Sequence, residues 1–492
     1  VTRAGRADAA RCGQPAGSPP VAWDLLVVAM VRVVAIAVVW AWGFRAISDD
    51  DYSRVVIAQG FAAAPALDPS GTSWLPLPFW LTGAAMMVAG PYLAVARAVS
   101  LLTAVGSALL VHAAARALGL DRRAALVAGV LGAALPYAAR LGVATVPDGY
   151  AASLITYAAA STAHERFRGR LAGALCITAA TLCRYEAWPV ALVVAACAGF
   201  DAGRRRAPGL VATALLALSG PAAWLAHGAL VHGDPLFFVG RVTAYRAALG
   251  ATAAAPLIAL ADLLFALPRY EPELAVLALL ALLAARAPLG AGRYQRFATA
   301  LGALLAFVAA GEWRNAAPTH HGERALLAVW LGLAIVTGDG LAHVWSGSGA
   351  RARWRLAGAA VLLVGLTAGV WRPRWGRPAP FVDRRHELGV GAAARRLLPR
   401  GERLAIDTPD YGFFAVMAAF GRAGDAVPLD DRDPRHPRPP DALRSAAVLD
   451  ARLRAVGARW LVTAVDRAPP AGIGAERARD GALALYEVIS AR

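Results

Sequence analysis

Between residues 23 and 371 the chain returns repeatedly to apolar runs. Several are long enough to cross a hydrocarbon layer of about 30 Å. Such runs need a bilayer to hide in, because a soluble fold of 492 residues could not cover so much apolar surface. Composition agrees, with 58% of residues hydrophobic and only 17% charged. Past Trp371 the pattern changes to mixed-charge sequence of soluble type.

The net charge is +17, and all 50 basic residues are arginine. Nucleic-acid binding would need a basic stripe on a folded face. The arginines instead gather in short loops between apolar runs, at 116–123, 166–170, 204–206, 286–296 and 351–355. That distribution sets topology, and it excludes nucleic acid as a partner. All five loops are cytoplasmic under one threading of about eleven spans: 23–44, 92–115, 124–139, 150–163, 171–186, 188–200, 210–231, 273–287, 297–310, 324–343 and 356–371. The expected fold class is therefore an all-α polytopic membrane bundle of about 11 transmembrane helices, followed by a small C-terminal α/β domain.

Residues 1–22 are expected to be a disordered cytoplasmic lead, and the run after them a retained helix rather than a cleaved signal. Residues 23–371 form the transmembrane domain. Its first outer loop, 45–91, carries a short apolar segment, 77–90, laid along the membrane surface. Residues 372–492 form an extracytoplasmic domain with strands at 403–407, 460–465 and 483–489 and helices at 385–398 and 442–456. Cys12, Cys176, Cys183 and Cys197 have no CxxC spacing, and three of them lie in apolar segments as small buried hydrophobes.

Charged groups recur at the outer ends of the spans. Asp49, Asp50 and Asp51 follow the first span; three adjacent carboxylates repel, so some must be bonded, cation-bound or protonated. They read as a general base or a metal ligand, against the plainer reading of a solvated loop. Asp148 follows Pro147 on the same side, where it could equally cap a helix. Arg184, Tyr185 and Glu186 sit at the end of the fifth span: an arginine facing an anionic ligand and oriented by Glu186, or an internal ion pair. His320, His321, Glu323 and Arg324 enter the tenth span, with a spacing that is weak for a metal. Arg241, Arg246, His232 and Asp234 lie in the loop after the seventh span. Acids and arginines at one membrane face, on separated helices, suit a membrane-anchored anionic substrate. A transporter more often places them at the midplane.

Several short stretches, in order, resemble the GT-C superfamily of membrane glycosyltransferases, in its protein mannosyltransferase, aminoarabinose transferase and Rgt-like branch. They are Asp50-Asp51 with Ile57-Ala58-Gln59, Ser73-Trp74-Leu75-Pro76-Leu77-Pro78-Phe79-Trp80, Ala96-Arg97-Ala98-Val99-Ser100, Ala115-Arg116-Ala117-Leu118-Gly119, Pro147-Asp148 and Leu182-Cys183-Arg184-Tyr185. The resemblance covers roughly 23–206 and extends more loosely to 371. It implies transfer of a sugar from a polyprenyl-phosphate donor to a hydroxyl of a lipid, glycan or protein acceptor at the outer face, with inversion. Asp50 matches the catalytic acid, within one residue of register because of Asp49. Asp51 stands where a glutamate is common, Arg54 where a tyrosine is common, and Arg184 in place of a lysine.

The expected catalytic set is Asp50, Asp51 and Asp148. The expected substrate-binding set is Asp49, Arg184, Tyr185, Glu186, Arg246 and Arg324, with Arg184 and Arg324 clamping phosphate. No cofactor is required; a divalent cation is compatible. The competing readings are a transporter or flippase of lipid-linked sugar, which internal pseudo-symmetry would favour, and a non-catalytic membrane scaffold, which would tolerate loss of Asp50.

Overall fold

The computed structural model describes residues 21–251, 255–285, 292–314, 322–347, 383–408, 410–437, 441–467, 469 and 474–488. The expected eleventh span, the 351–355 loop, His320 and His321 fall outside them.

Helix α1 (Val21–Ala41) is apolar throughout except for Asp24 and Arg32. Its 21 residues measure roughly 30 Å, one bilayer core. The chain then folds back at the end of α1 as α2 (Asp50–Ala63) and α3 (Leu77–Ala89) before returning along the bundle in α4 (Leu93–Ala117). The sequence reading did not anticipate α2, whose mixed composition carries no span signal. The expected span at 124–139 is two helices, α5 (Arg122–Ala134) and α6 (Pro136–Val143), bent by 60°. Pro136 is the cause: it offers no N–H, and its ring excludes a continuous helix.

The bundle continues with α7 (Asp148–Ser161), α8 (Phe167–Thr181), α9 (Ala187–Arg205) and α10 (Gly209–His227), the last extended by a π turn over Gly228–His232. There follow α11 (Phe237–Ala248), α12 (Pro256–Tyr270), α13 (Pro272–Ala285), α14 (Gly292–Trp313), α15 (Gly322–Ala325) and α16 (Leu327–Gly347). Among the described residues, four helices are long and apolar enough to cross a membrane, or five if α5 and α6 count as one. The chain is an integral membrane protein.

Small residues let these helices approach closely. A Cβ at Gly338 of α16 would lie 2.7 Å from the Ala128 backbone nitrogen of α5. The two ends of the bundle differ in character. At one end Arg122 pairs with Asp24 (2.5 Å), and Arg170 and Arg296 share the buried Asp201. At the other end the turn after α6 meets the turn after α1 through Thr145 and Asp51.

The C-terminal residues form an α/β layer: α17 (Arg385–Leu397), β1 (Arg403–Ile406), α18 (Phe413–Phe420), β2 (Ala426–Pro428), α19 (Ala446–Val456), β3 (Ala458–Ala464), β4 (Gly474–Asp480) and β5 (Leu483–Val488). Strand order is β2-β1-β3-β5-β4, with the first three parallel and the last two antiparallel. Alternate residues serve the two faces. Leu404, Ile406, Trp460 and Val462 pack under α17 and α18, while Ala405 and Leu461 pack under α19. The layer rests on the first outer loop. Ala415 and Ala418 of α18 pack against Tyr52, Val55 and Ala58 of α2, and the Gln59 amide donates to the Ala418 carbonyl (2.9 Å).

Candidate active site

The three consecutive aspartates have three different environments. Asp51 is buried, and its carboxylate accepts the backbone N–H groups of Ile47 (3.0 Å), Ser48 (3.1 Å) and Thr145 (2.7 Å). The Thr145 hydroxyl also donates to the Asp51 carbonyl (2.8 Å). Burial pushes the Asp51 carboxyl up to about 6, against the N–H donors that favour its ionised form. This acid closes a loop. Its oxygens, expected to be catalytic, are engaged here by backbone N–H groups.

Asp49, expected to bind substrate, is likewise engaged within the protein. Its carboxylate takes a two-point contact from Arg384, Nε to Oδ1 and Nη2 to Oδ2, both 2.9 Å. Only Asp50, with its side chain 42% exposed, presents an acid to the space beyond. Its Oδ2 accepts from Arg324 Nη1 at 3.2 Å, and Arg324 Nη2 donates to Ser48 Oγ at 2.9 Å. Arg324 is buried in the short α15, and its Nε has no hydrogen-bond partner among the described residues.

Asp148 opens α7 and makes no capping bond, so its presence is not explained as a helix cap. It is buried, and neither carboxylate oxygen has a hydrogen-bond partner among the described residues. Arg184 Nη1 lies 3.4 Å from Oδ1. Arg184 sits in the turn after α8, and its Nη2 donates to Glu186 Oε1 at 2.5 Å. Burial pulls the Arg184 pKa down, and the Asp148 and Glu186 carboxylates outweigh that and hold it raised.

Tyr185, expected to bind substrate, is held within the protein: its hydroxyl donates to the Ser73 carbonyl (2.8 Å) and accepts from Trp224 Nε1 (3.1 Å), while its ring stacks on Phe238. It pins the loop between α1 and α4 to the bundle. Arg246, expected in the substrate-binding set, pairs with Glu312 through Nη contacts of 3.3 and 2.7 Å.

Two arginines absent from the expected set belong here. Arg54 of α2 is buried, its guanidinium lies 4.3 Å from the Trp74 ring centre, and its Nε has no partner among the described residues. Burial pulls its pKa down, against the fields of Asp50 and Asp148. Its substitution for a tyrosine in the family pattern was the available signal. Arg384 had none, lying in a tail crowded with arginine. One group of metal-type donors converges among the described residues: Asp68, His227 and His232, with ligand atoms within 4.8 Å of one another. One carboxylate and two imidazoles suit zinc. Aspartates 49–51 do not converge in this way, because each has its own separate partner.

A polytopic bundle with two helices in the loop after its first span, a face of acids and arginines above it, and a small α/β layer docked on that loop is similar in fold to ArnT from Cupriavidus metallidurans. The crystal structure bound to undecaprenyl phosphate superposes with a TM-score of 0.62 at 16% identity, over 96% of this chain and 98% of that one. The apo structure gives 0.56 at 15% identity, over 94% and 97%. No protein-family model and no curated protein sequence matches the chain.

Proposed function

We propose that this protein transfers a sugar from a polyprenyl-phosphate donor to an acceptor hydroxyl, with Asp50 as general base. One observation carries the reading. A solvent-reachable acid, Asp50, and a buried carboxylate without hydrogen bonds among the described residues, Asp148, occupy one neighbourhood with Arg54, Arg184 and Arg324. The ArnT fold, bound there to undecaprenyl phosphate, supports a lipid phosphate as the anionic partner.

The chemistry balances. Asp50 takes the hydroxyl proton as the acceptor oxygen bonds to the anomeric carbon, and the carbon–oxygen bond to phosphate breaks from the opposite side. The configuration inverts. The electron pair leaves on the lipid phosphate, where Arg184 and Arg324 stabilise the charge. Asp148 orients the acceptor through oxygens that no donor among the described residues fills. Asp50 Oδ2 accepts from Arg324 at 3.2 Å, and an arriving donor phosphate competes for that guanidinium and so frees Asp50 once the leaving group is in place.

In this reading the chain crosses the membrane about eleven times, with residues 1–22 and the arginine-rich loops in the cytoplasm. The site and the domain 372–492 lie outside. The reaction needs no metal at the aspartates; Asp68, His227 and His232 are the described donors for a divalent cation. A deletion strain should accumulate a polyprenyl-phosphate-linked sugar, identified by mass spectrometry of its lipids. A reporter active only in the cytoplasm, fused after residue 492, should be silent. An unchanged lipid pool with an active reporter would defeat the reading.

A further inference from the structure

We infer that Arg384 is a positioning residue through which the C-terminal domain fixes Asp50, an inference that rests on the proposed role of Asp50. Arg384 precedes α17, and its side chain is 3% exposed. A guanidinium has five N–H bonds. Here all five are used: Nε to Asp49 Oδ1 (2.9 Å), Nη2 to Asp49 Oδ2 (2.9 Å) and Asp410 Oδ2 (2.9 Å), and Nη1 to Asp410 Oδ1 (3.0 Å) and Glu387 Oε1 (2.8 Å). Two carboxylates are held by two contacts each, which fixes orientation as well as distance. The Asp410 carboxylate also accepts the Gly412 N–H (2.9 Å). A Cβ at Gly412 would come within 2.8 Å of both the Arg384 guanidinium and Glu387, so a side chain there would press on the cluster.

Asp49 and Asp410 belong to different parts of the molecule, the turn after α1 and the loop after β1. Arg384 therefore ties the domain to the residue beside Asp50. On the other side of Asp50, Asp51 is held by Ile47, Ser48 and Thr145. The proposed base thus sits between two anchored neighbours, free only in its side chain. A displacement of about 1 Å at a reacting group costs on the order of a hundredfold in rate. The domain has a second attachment, the α2–α18 contact with its Gln59 hydrogen bond, so loss of Arg384 leaves it docked.

The test uses the full chain in detergent with Arg384→Gln, Arg384→Lys, Asp49→Asn and the Arg384→Gln/Asp49→Asn double variant. Two readouts are taken: amide hydrogen exchange across residues 46–53, and steady-state transfer. Exchange in that segment should quicken at least tenfold in Arg384→Gln and Asp49→Asn. Their kcat should fall roughly ten- to a hundredfold with donor KM unchanged. The double variant should be no worse than either single one, because both break the same link. Lysine, with three donors and no planar fork, should recover only part. Unchanged exchange overturns the inference, as do additive losses, a raised donor KM with kcat intact, or full recovery by lysine. If the wild-type chain transfers no sugar, the proposed function fails, and exchange alone still decides whether Arg384 holds the loop.

Discussion

Arg324 reaches Asp50 at 3.2 Å across 274 residues of sequence and steadies the same turn through Ser48 Oγ at 2.9 Å. The one exposed acid of the triad is therefore paired with a cation that a lipid phosphate would also attract. Replacing Arg324 with Gln removes that charge while keeping some hydrogen bonding. Transfer should fall about a hundredfold, on the scale of losing one donor aimed at developing charge. Donor titrations with the purified variant check this; near wild-type kcat/KM would place the phosphate clamp elsewhere.

Asp148→Asn separates orientation from folding. The wild-type carboxylate makes no hydrogen bond among the described residues, so the amide loses none. It removes the charge opposite Arg184. The variant should remain folded by size-exclusion in detergent while transfer drops by one to two orders of magnitude, on the scale of general acid–base assistance. A fully active variant would reduce Asp148 to a helix-end residue.

Asp51→Asn should damage stability rather than chemistry. An amide cannot accept three N–H bonds as the carboxylate does, and a buried donor left unpaired costs about 1–3 kcal/mol. The wild-type acid also predicts a pH dependence. Its carboxyl titrates near 6 in the folded chain against 3.8 in the reference state. Between those values the folded state holds the extra proton, so this contribution to stability is present below the lower pKa and lost as pH rises through the higher. Melting temperatures from pH 4 to 7 should show that decline in wild type and a flatter profile in Asp51→Asn.

Gly338→Leu should push α16 away from α5, because even a Cβ would meet the Ala128 backbone at 2.7 Å. Overpacking of this kind costs typically 1–3 kcal/mol, and backbone yields less readily than side chains. Since α16 follows directly from α15, which carries Arg324, both melting temperature and transfer should fall. A variant matching wild type in both would mean that this crossing is looser than the structure has it.

Much of this was legible in the sequence. The α1 and α4 spans, strands β1, β3 and β5, and helices α17 and α19 follow from apolar runs and periodicity. Strand β2 is three residues ending in Pro428, and β4 reads GAERARD, the charged composition of an edge. Neither offers a hydrophobic pattern. At the site, Asp50, Asp148, Arg184 and Arg324 stood out because charge beside an apolar span is costly. What the sequence could not divide was the labour within Asp49-Asp50-Asp51. That depends on Arg384, 335 residues away, and Thr145, 94 residues away, which approach only in the fold.

The most direct test of the central claim is transfer from a polyprenyl-phosphate sugar by purified, folded Asp50→Asn. The amide keeps the shape and removes the basicity, and Asp50 has no buried backbone contacts to lose among those described. Folding should survive and the rate should fall by about a hundredfold or more. A fully active Asp50→Asn enzyme would contradict the account and favour a transporter or scaffold.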